Sequence, residues 1–305
     1  MSPPPVLRIA RLDVRYRGGA WAARDIDLVA GGGEVLALVG ESGCGKTTII
    51  KAVLGLLPPG ATVTGSIRIS GAEMVGAPGR VLRRLRGPLV GYVGQNPFAA
   101  CDPLRTVGHH VAEAWTAHRL RPPAGEVPAR LGALGIPDPV ARARLHPHQW
   151  SGGMLQRAAT AAAQAHEPSL IVADEPTSAL DAELAGVTLR SLRRRGAGVL
   201  LATHDLGLVR EYADELAILY AGRVVECGPV ATVLARPRHP YTAALLAAVP
   251  RPGAGLPTPL PGAPPGPRTV SPGCAFADRC PAVFDRCHRE RPGMEAGVAC
   301  HAAEP

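Results

Sequence analysis

Gly40-Glu-Ser-Gly-Cys-Gly45-Lys46-Thr47 follows the apolar run Val35-Leu-Ala-Leu-Val39 and leads into a helix-compatible run beginning at Thr47. Strand, glycine turn, Lys-Thr and helix in that order form the complete phosphate-binding loop pattern. Gly40, Gly43 and Gly45, with Ser42 between them, let backbone N–H groups turn inward around phosphate oxygens. Lys46 reaches the β and γ oxygens, Thr47 ligates magnesium, and Thr48 continues into the helix. The lysine is informative, because Lys46 and Lys51 are the only lysines among 33 basic residues. A lysine kept where arginine is the default points to a need for a compact charge. The loop alone does not separate kinases, GTPases, motors and transport ATPases.

A second site narrows the choice. In Leu170-Ile-Val-Ala-Asp174-Glu175, four apolar residues deliver two carboxylates to the end of a buried strand. Asp174 can hold magnesium through water, and Glu175 can polarise an attacking water, a group that a metabolic kinase does not need. Ser151-Gly152-Gly153-Met-Leu-Gln-Arg157 lies 23 residues before Asp174 and opens a helix with Ser151 as its N-cap. His204 follows the strand Val199–Ala202, and Gln95 follows the apolar segment ending Tyr92-Val-Gly.

Together these residues resemble the ATP-binding cassette ATPases: phosphate loop, Gln loop, signature, magnesium strand, Asp loop Ser178-Ala-Leu-Asp181 and switch His occur in the family's order over residues 6–249. The resemblance implies an α/β P-loop NTPase with a largely parallel sheet, an antiparallel β subdomain and a helical insertion at about 97–150. It also implies ATP and magnesium as cofactors and a composite site, in which one cassette's phosphate loop faces the partner's signature, the motif that here is Ser151, Gly152 and Gly153, with Asp181 as a further nucleotide-binding position. Carried over residue by residue, Thr47, Gln95 and Asp174 serve magnesium, Glu175 acts as base, His204 contacts the γ-phosphate and Gln95 senses it. Tyr16 stands where the family places an adenine-stacking aromatic, with Trp21 close by. Cys44, Leu155 and Asn96 depart from the usual residues without removing a catalytic group. Cys44 raises the question of thiol modification beside the phosphates.

The wider composition fits. The 305 residues carry a net charge of +8, with 46% apolar residues, enough for one large or two medium cores. No stretch approaches the roughly 18 apolar residues of a membrane span, and the N-terminus lacks signal-peptide features, so a cytoplasmic chain is expected. Nucleic-acid binding is disfavoured, since the arginines are spread along the chain and the aromatic fraction is 4%. Residues 250–273 hold nine prolines and five glycines and read as a linker, which leaves 274–305 as a separate cysteine-bearing unit.

His146-Pro-His-Gln-Trp150, Arg238-His-Pro-Tyr-Thr242, the cysteine segment Gly273–Pro281 and the final Ala-Cys300-His301 are similar to the dipeptide, oligopeptide and nickel importer branch. That similarity implies an ATPase at the cytoplasmic face of the membrane. Its partners would be a related second ATPase, two permease subunits and an extracytoplasmic solute-binding protein. A nickel importer, or a soluble cassette protein acting on nucleic acid or ribosomes, are the alternatives. Cys274, Cys280, Cys287 and Cys300 have five, six and twelve intervening residues. They lack the close pairs of a zinc ribbon, and three readings stay open: zinc, ordinary thiols, or a 4Fe-4S cluster as in some relatives.

Overall fold

The computed structural model describes residues 5–178, 180–193, 196–249, 259–260, 262–266 and 271–303. In chain order the first half forms β1 (Leu7–Arg15), β2 (Trp21–Ala30), β3 (Val35–Val39), α1 (Lys46–Val53), β4 (Thr62–Ile69), β5 (Ala72–Glu73), α2 (Gly79–Leu85), β6 (Val90–Val93), α3 (Val107–Thr116), α4 (Glu126–Ala133) and α5 (Pro139–Arg142). The second half forms α6 (Gly152–Ala163), β7 (Leu170–Asp174), α7 (Ala182–Leu192), β8 (Gly198–Ala202), α8 (Leu206–Tyr212), β9 (Glu215–Tyr220), β10 (Arg223–Pro229), α9 (Val230–Ala235), α10 (Pro240–Ala247) and α11 (Asp285–Arg289). Among the described residues no helix is long and apolar enough to cross a membrane.

The chain divides into two compact units. One takes the described residues through Leu7, with 29–35 and 68–201; the other takes 8–28, 36–67 and the described residues from Ala202 onward. In the first, β6 and β7 run parallel, with Val90 opposite Leu170 and Val93 opposite Ala173, and β8 lies on the far side of β7. All five residues of β7 and of β8 are buried, and the apolar run Leu170–Ala173 before Asp174 is that of a strand covered on both faces. The expected helical insertion is present as α3, α4 and α5. Its Val107, Trp115 and Leu131 share one core with Trp150, Leu155 and Ala158 of the α6 region. This accounts for Leu155: the position points into an apolar core, where leucine adds buried area and an arginine would need partners.

In the second unit β3 and β9 are parallel, with Leu36 opposite Glu215, and β10 closes antiparallel on β9. A smaller sheet has the order β2-β1-β4-β5, and its β4 and β5 pair antiparallel, with Arg68 opposite Glu73. β1 alternates buried and exposed positions, as a strand with one solvated face should.

Two features differ from what the sequence suggests. No motif announces α2. Its sequence GRVLRRL buries only Leu82, so it carries no apolar stripe by which a helix could be recognised. The cysteine tail is not a separate unit either. Phe276 belongs to the same core as Val39, Tyr220 and Tyr241, with Cys274 and Cys280 packed against it. Much of the 250–273 linker and residues Arg194 and Arg195 lie outside the described residues.

Candidate functional site

The phosphate loop is set by close backbone approaches. A Cβ at Gly40 would run into the Leu219 carbonyl, and one at Gly45 into the Ala22 carbonyl. Gly45 also sits at φ 111° as the N-cap of α1, where it leaves the first helical amides uncovered by any side chain. Such amides are the donors that bind a phosphate. Lys46 is buried, and its Nζ donates to the Gly40 carbonyl at 2.6 Å and the Glu41 carbonyl at 3.2 Å. Its ammonium is thus held inside the loop it is expected to serve. Thr47 faces outward and Thr48 inward. The Thr48 hydroxyl meets the Tyr16 hydroxyl at 3.0 Å, so the structure brings Tyr16 to the loop. Trp21 instead meets two guanidinium groups over its ring, Arg15 at 5.5 Å and Arg24 at 4.8 Å from the centroid.

Cys44 is buried, and burial pushes its thiol above the ordinary range despite Lys46 nearby. A thiol held protonated away from solvent is a poor nucleophile, so it fills space here. His204, exposed in the same unit, follows Thr203, whose amide donates to the Leu38 carbonyl at 3.1 Å.

In the other unit β7 ends at Asp174, which is buried, and Glu175 follows at φ 47°. That left-handed conformation is unusual for a residue with a side chain, and such residues concentrate at functional sites. The Gln95 amide donates to the Glu175 carboxylate at 3.2 Å, joining two residues 80 positions apart that motif order alone had related. Asn96 accepts from the Phe98 and Ala99 amides, both at 3.1 Å, and so shapes the turn after Gln95. Ser151 caps α6 by accepting from Met154, while Gly152 and Gly153 form its first turn. Asp181 caps α7 by accepting from Leu184 at 2.9 Å.

Gln156 and Arg157, which close the signature segment, hold α6 in place. Gln156 donates to the Gly94 carbonyl at 2.9 Å, which ties α6 to the backbone beside Gln95. The Arg157 guanidinium donates to the Leu134 and Gly135 carbonyls, fastening α6 to the insertion.

Cys274, Cys280, Cys287 and Cys300 line one cavity with His239 and Phe276. The cavity measures about 10 Å³, room for about one water. Burial raises the Cys274 thiol, and Cys287, Cys300 and Cys280 nearby raise it further. His239 is buried and neutral, its pKa pushed down to about 4 by burial. Its Nδ1 accepts from the Tyr241 amide, and its Nε2 has no partner. Among the described residues no three His, Cys, Asp or Glu side chains stand where they could hold a single metal ion. The four thiols and the unpartnered His239 nitrogen thus line one small cavity without the placement that a metal site requires.

Comparison with known proteins agrees with this anatomy. Residues 23–178 match the ABC transporter family, and residues 225–287 match the oligopeptide/dipeptide transporter C-terminal region. The chain is 43% identical over 315 residues to the oligopeptide transport ATP-binding protein OppD of Mycobacterium bovis, covering 98% of this chain and 51% of that one. It is 40% identical to the dipeptide transport ATP-binding protein DppD of Bacillus subtilis, over 95% of this chain and 90% of that one. The chain therefore spans about half the length of its mycobacterial relative and nearly all of the Bacillus one. Among solved structures, an ATP-binding subunit of an ABC transporter superposes with a TM-score of 0.62 at 30% identity, covering 73% of this chain and 90% of that one. A dimeric ATP-binding cassette bound to ADP and phosphate gives 0.66 at 24% identity, covering 73% of this chain and 98% of that one, and shares the fold. With a buried lysine inside a glycine loop, a strand ending in Asp174-Glu175 and relatives along nearly its whole length, the chain belongs to the ATP-binding cassette transporter family.

Proposed function

We propose that this chain is the ATP-binding and ATP-hydrolysing subunit of an importer for dipeptides or oligopeptides. The observation that carries the reading is the pairing of a cassette at 23–178 with the peptide-transporter C-terminal region at 225–287, seen also in the extended similarity to OppD and DppD proteins. Nickel import and action on nucleic acid or ribosomes find no such support. Lys46, Thr47 and the loop amides bind the ATP phosphates, Thr47, Asp174 and Gln95 serve magnesium, and Tyr16 stacks on adenine. Glu175 accepts a proton from the attacking water, with Gln95 orienting its carboxylate, and His204 contacts the γ-phosphate. Ser151, Gly152, Gly153 and Asp181 act toward the nucleotide of a partner cassette, whose phosphate meets the N-terminus of α6. The subunit works at the cytoplasmic face of the membrane with a related ATPase, two permeases and an extracytoplasmic binding protein.

Co-expression with candidate permeases tests this. Recovery in a membrane complex with peptide-dependent uptake is expected. Isolation as a free ATPase bound to nucleic acid, or uptake of nickel in place of peptides, would overturn it.

The tail cysteines extend the proposal: Cys274, Cys280, Cys287 and Cys300 bind a 4Fe-4S cluster, with His239 placed to donate its unpartnered N–H. The supporting observation is the donor set, although the cavity must widen to admit the group. Anaerobically purified protein is expected to contain iron and acid-labile sulfide, with Cys280→Ala losing most of both. Absence of both elements from the wild type rejects the cluster.

A further inference from the structure

The C-terminal region does more than add a sulfur cavity. Its aromatic and basic side chains reach the phosphate loop at one residue, Glu41, the second position of the loop. Arg279 Nη1 donates to Glu41 Oε2 at 2.7 Å, and Nη2 donates to Oε1 at 3.1 Å. This is a forked, two-point pair between residues 238 positions apart, with the arginine side chain only 4% exposed. Nη1 also donates to the Tyr220 hydroxyl at 3.2 Å. The Glu41 amide donates to the Tyr241 hydroxyl at 3.0 Å, and the Glu41 carbonyl accepts from Lys46 Nζ. Every polar group of Glu41 is therefore held, two of them by residues of the C-terminal region. Pro264 and Pro265 line the same cavity of about 460 Å³ as Glu41, Ser42 and Gly43.

A forked arginine–carboxylate pair fixes orientation as well as distance, and a buried guanidinium loses little further freedom in making it. The Glu41 carbonyl is one of two that accept from the Lys46 ammonium, beside that of Gly40, so its rotation would move an acceptor at the phosphate-binding lysine. Arg279 meets the phosphate loop at the Glu41 side chain, so an effect on the loop would pass through Glu41.

We infer that Arg279 is a positioning residue for the phosphate loop, clamping Glu41 so that the C-terminal region sets nucleotide affinity. The inference rests on the reading of Gly40–Thr47 as the phosphate site. Its test is therefore divided between a measurement without nucleotide and one with it.

In the full-length chain without nucleotide, Arg279→Ala is expected to speed hydrogen exchange of the loop amides from Glu41 to Lys46 while leaving those of β7 unchanged. With MgADP, the same variant is expected to bind roughly tenfold more weakly, a size common for the loss of one coupled contact. Arg279→Lys, which keeps charge but lacks the fork, should fall between wild type and Arg279→Ala. Adding Glu41→Gln to Arg279→Ala should cost little more than either change alone. Should Arg279→Ala not fold, Glu41→Gln supplies the same two measurements with an isosteric side chain. Unchanged loop exchange overturns the clamp. Faster exchange with unchanged MgADP affinity overturns the positioning role. Failure of the wild-type chain to bind MgADP overturns the reading of the loop, and this inference with it.

Discussion

Replacement of Glu175 by Gln is expected to lower steady-state ATP hydrolysis by about 10²- to 10⁴-fold, the usual contribution of a positioned general base. ATP binding should stay within about threefold of wild type, because an uncharged isostere leaves the phosphate loop and its lysine untouched. The geometry makes this a clean substitution. Glu175 sits at φ 47°, a backbone conformation that either residue must adopt against the same strain. The Gln95 amide that donates to Glu175 can donate equally to the carbonyl oxygen of a glutamine. What the amide cannot do is take a proton from water. Single-turnover hydrolysis and nucleotide binding, measured side by side in the assembled transporter, separate chemistry from affinity. Turnover near the wild-type rate would reject Glu175 as the base; loss of binding together with rate would mean that the substitution disturbed the loop.

The residues in that prediction were legible because their chemistry is local and ordered. Gly40–Thr47 declares itself through spacing, and Asp174-Glu175 through four apolar residues ending in two acids. The contact between Gln95 and Glu175 gives physical form to an order of motifs. Other parts were hidden for equally physical reasons. α2 buries one side chain, so hydrophobic periodicity had nothing to report. Arg279 is one of 31 arginines and lies next to a cysteine that drew attention to itself. Its partner is 238 residues away, and no local pattern encodes such a pair. His239 could be read as part of a family signature, but not as a buried neutral ring with one unpartnered nitrogen. The proline- and glycine-rich stretch invited a break between cassette and tail, whereas apolar contacts from Phe276 determine that the tail belongs to the core.

Phe276→Ala is expected to cost about 3 to 5 kcal/mol of folding stability, as for other fully buried phenylalanines. Phe276 is 1% exposed, and its ring meets Tyr220 edge-on at 5.2 Å and Tyr241 at 5.3 Å between centroids. Truncation leaves a cavity walled by two rings that cannot easily close it, because the Tyr241 hydroxyl is tied to the Glu41 amide and the Tyr220 hydroxyl to Arg279. A loss of that size is a large fraction of the 5 to 15 kcal/mol typical of whole domains. Urea unfolding followed by tryptophan fluorescence should show an early transition. Phe284→Ala, at a position 44% exposed in the same tail, should stay within about 0.5 kcal/mol of wild type. The comparison decides whether the tail is part of the fold. Were the two variants equally mild, the tail would be an appendage and Phe276 would add nothing to the core around Tyr220 and Tyr241. A large cost at Phe276 alone means that the tail is folded into the same core as Tyr220 and Tyr241, whose hydroxyls meet Arg279 and the Glu41 amide.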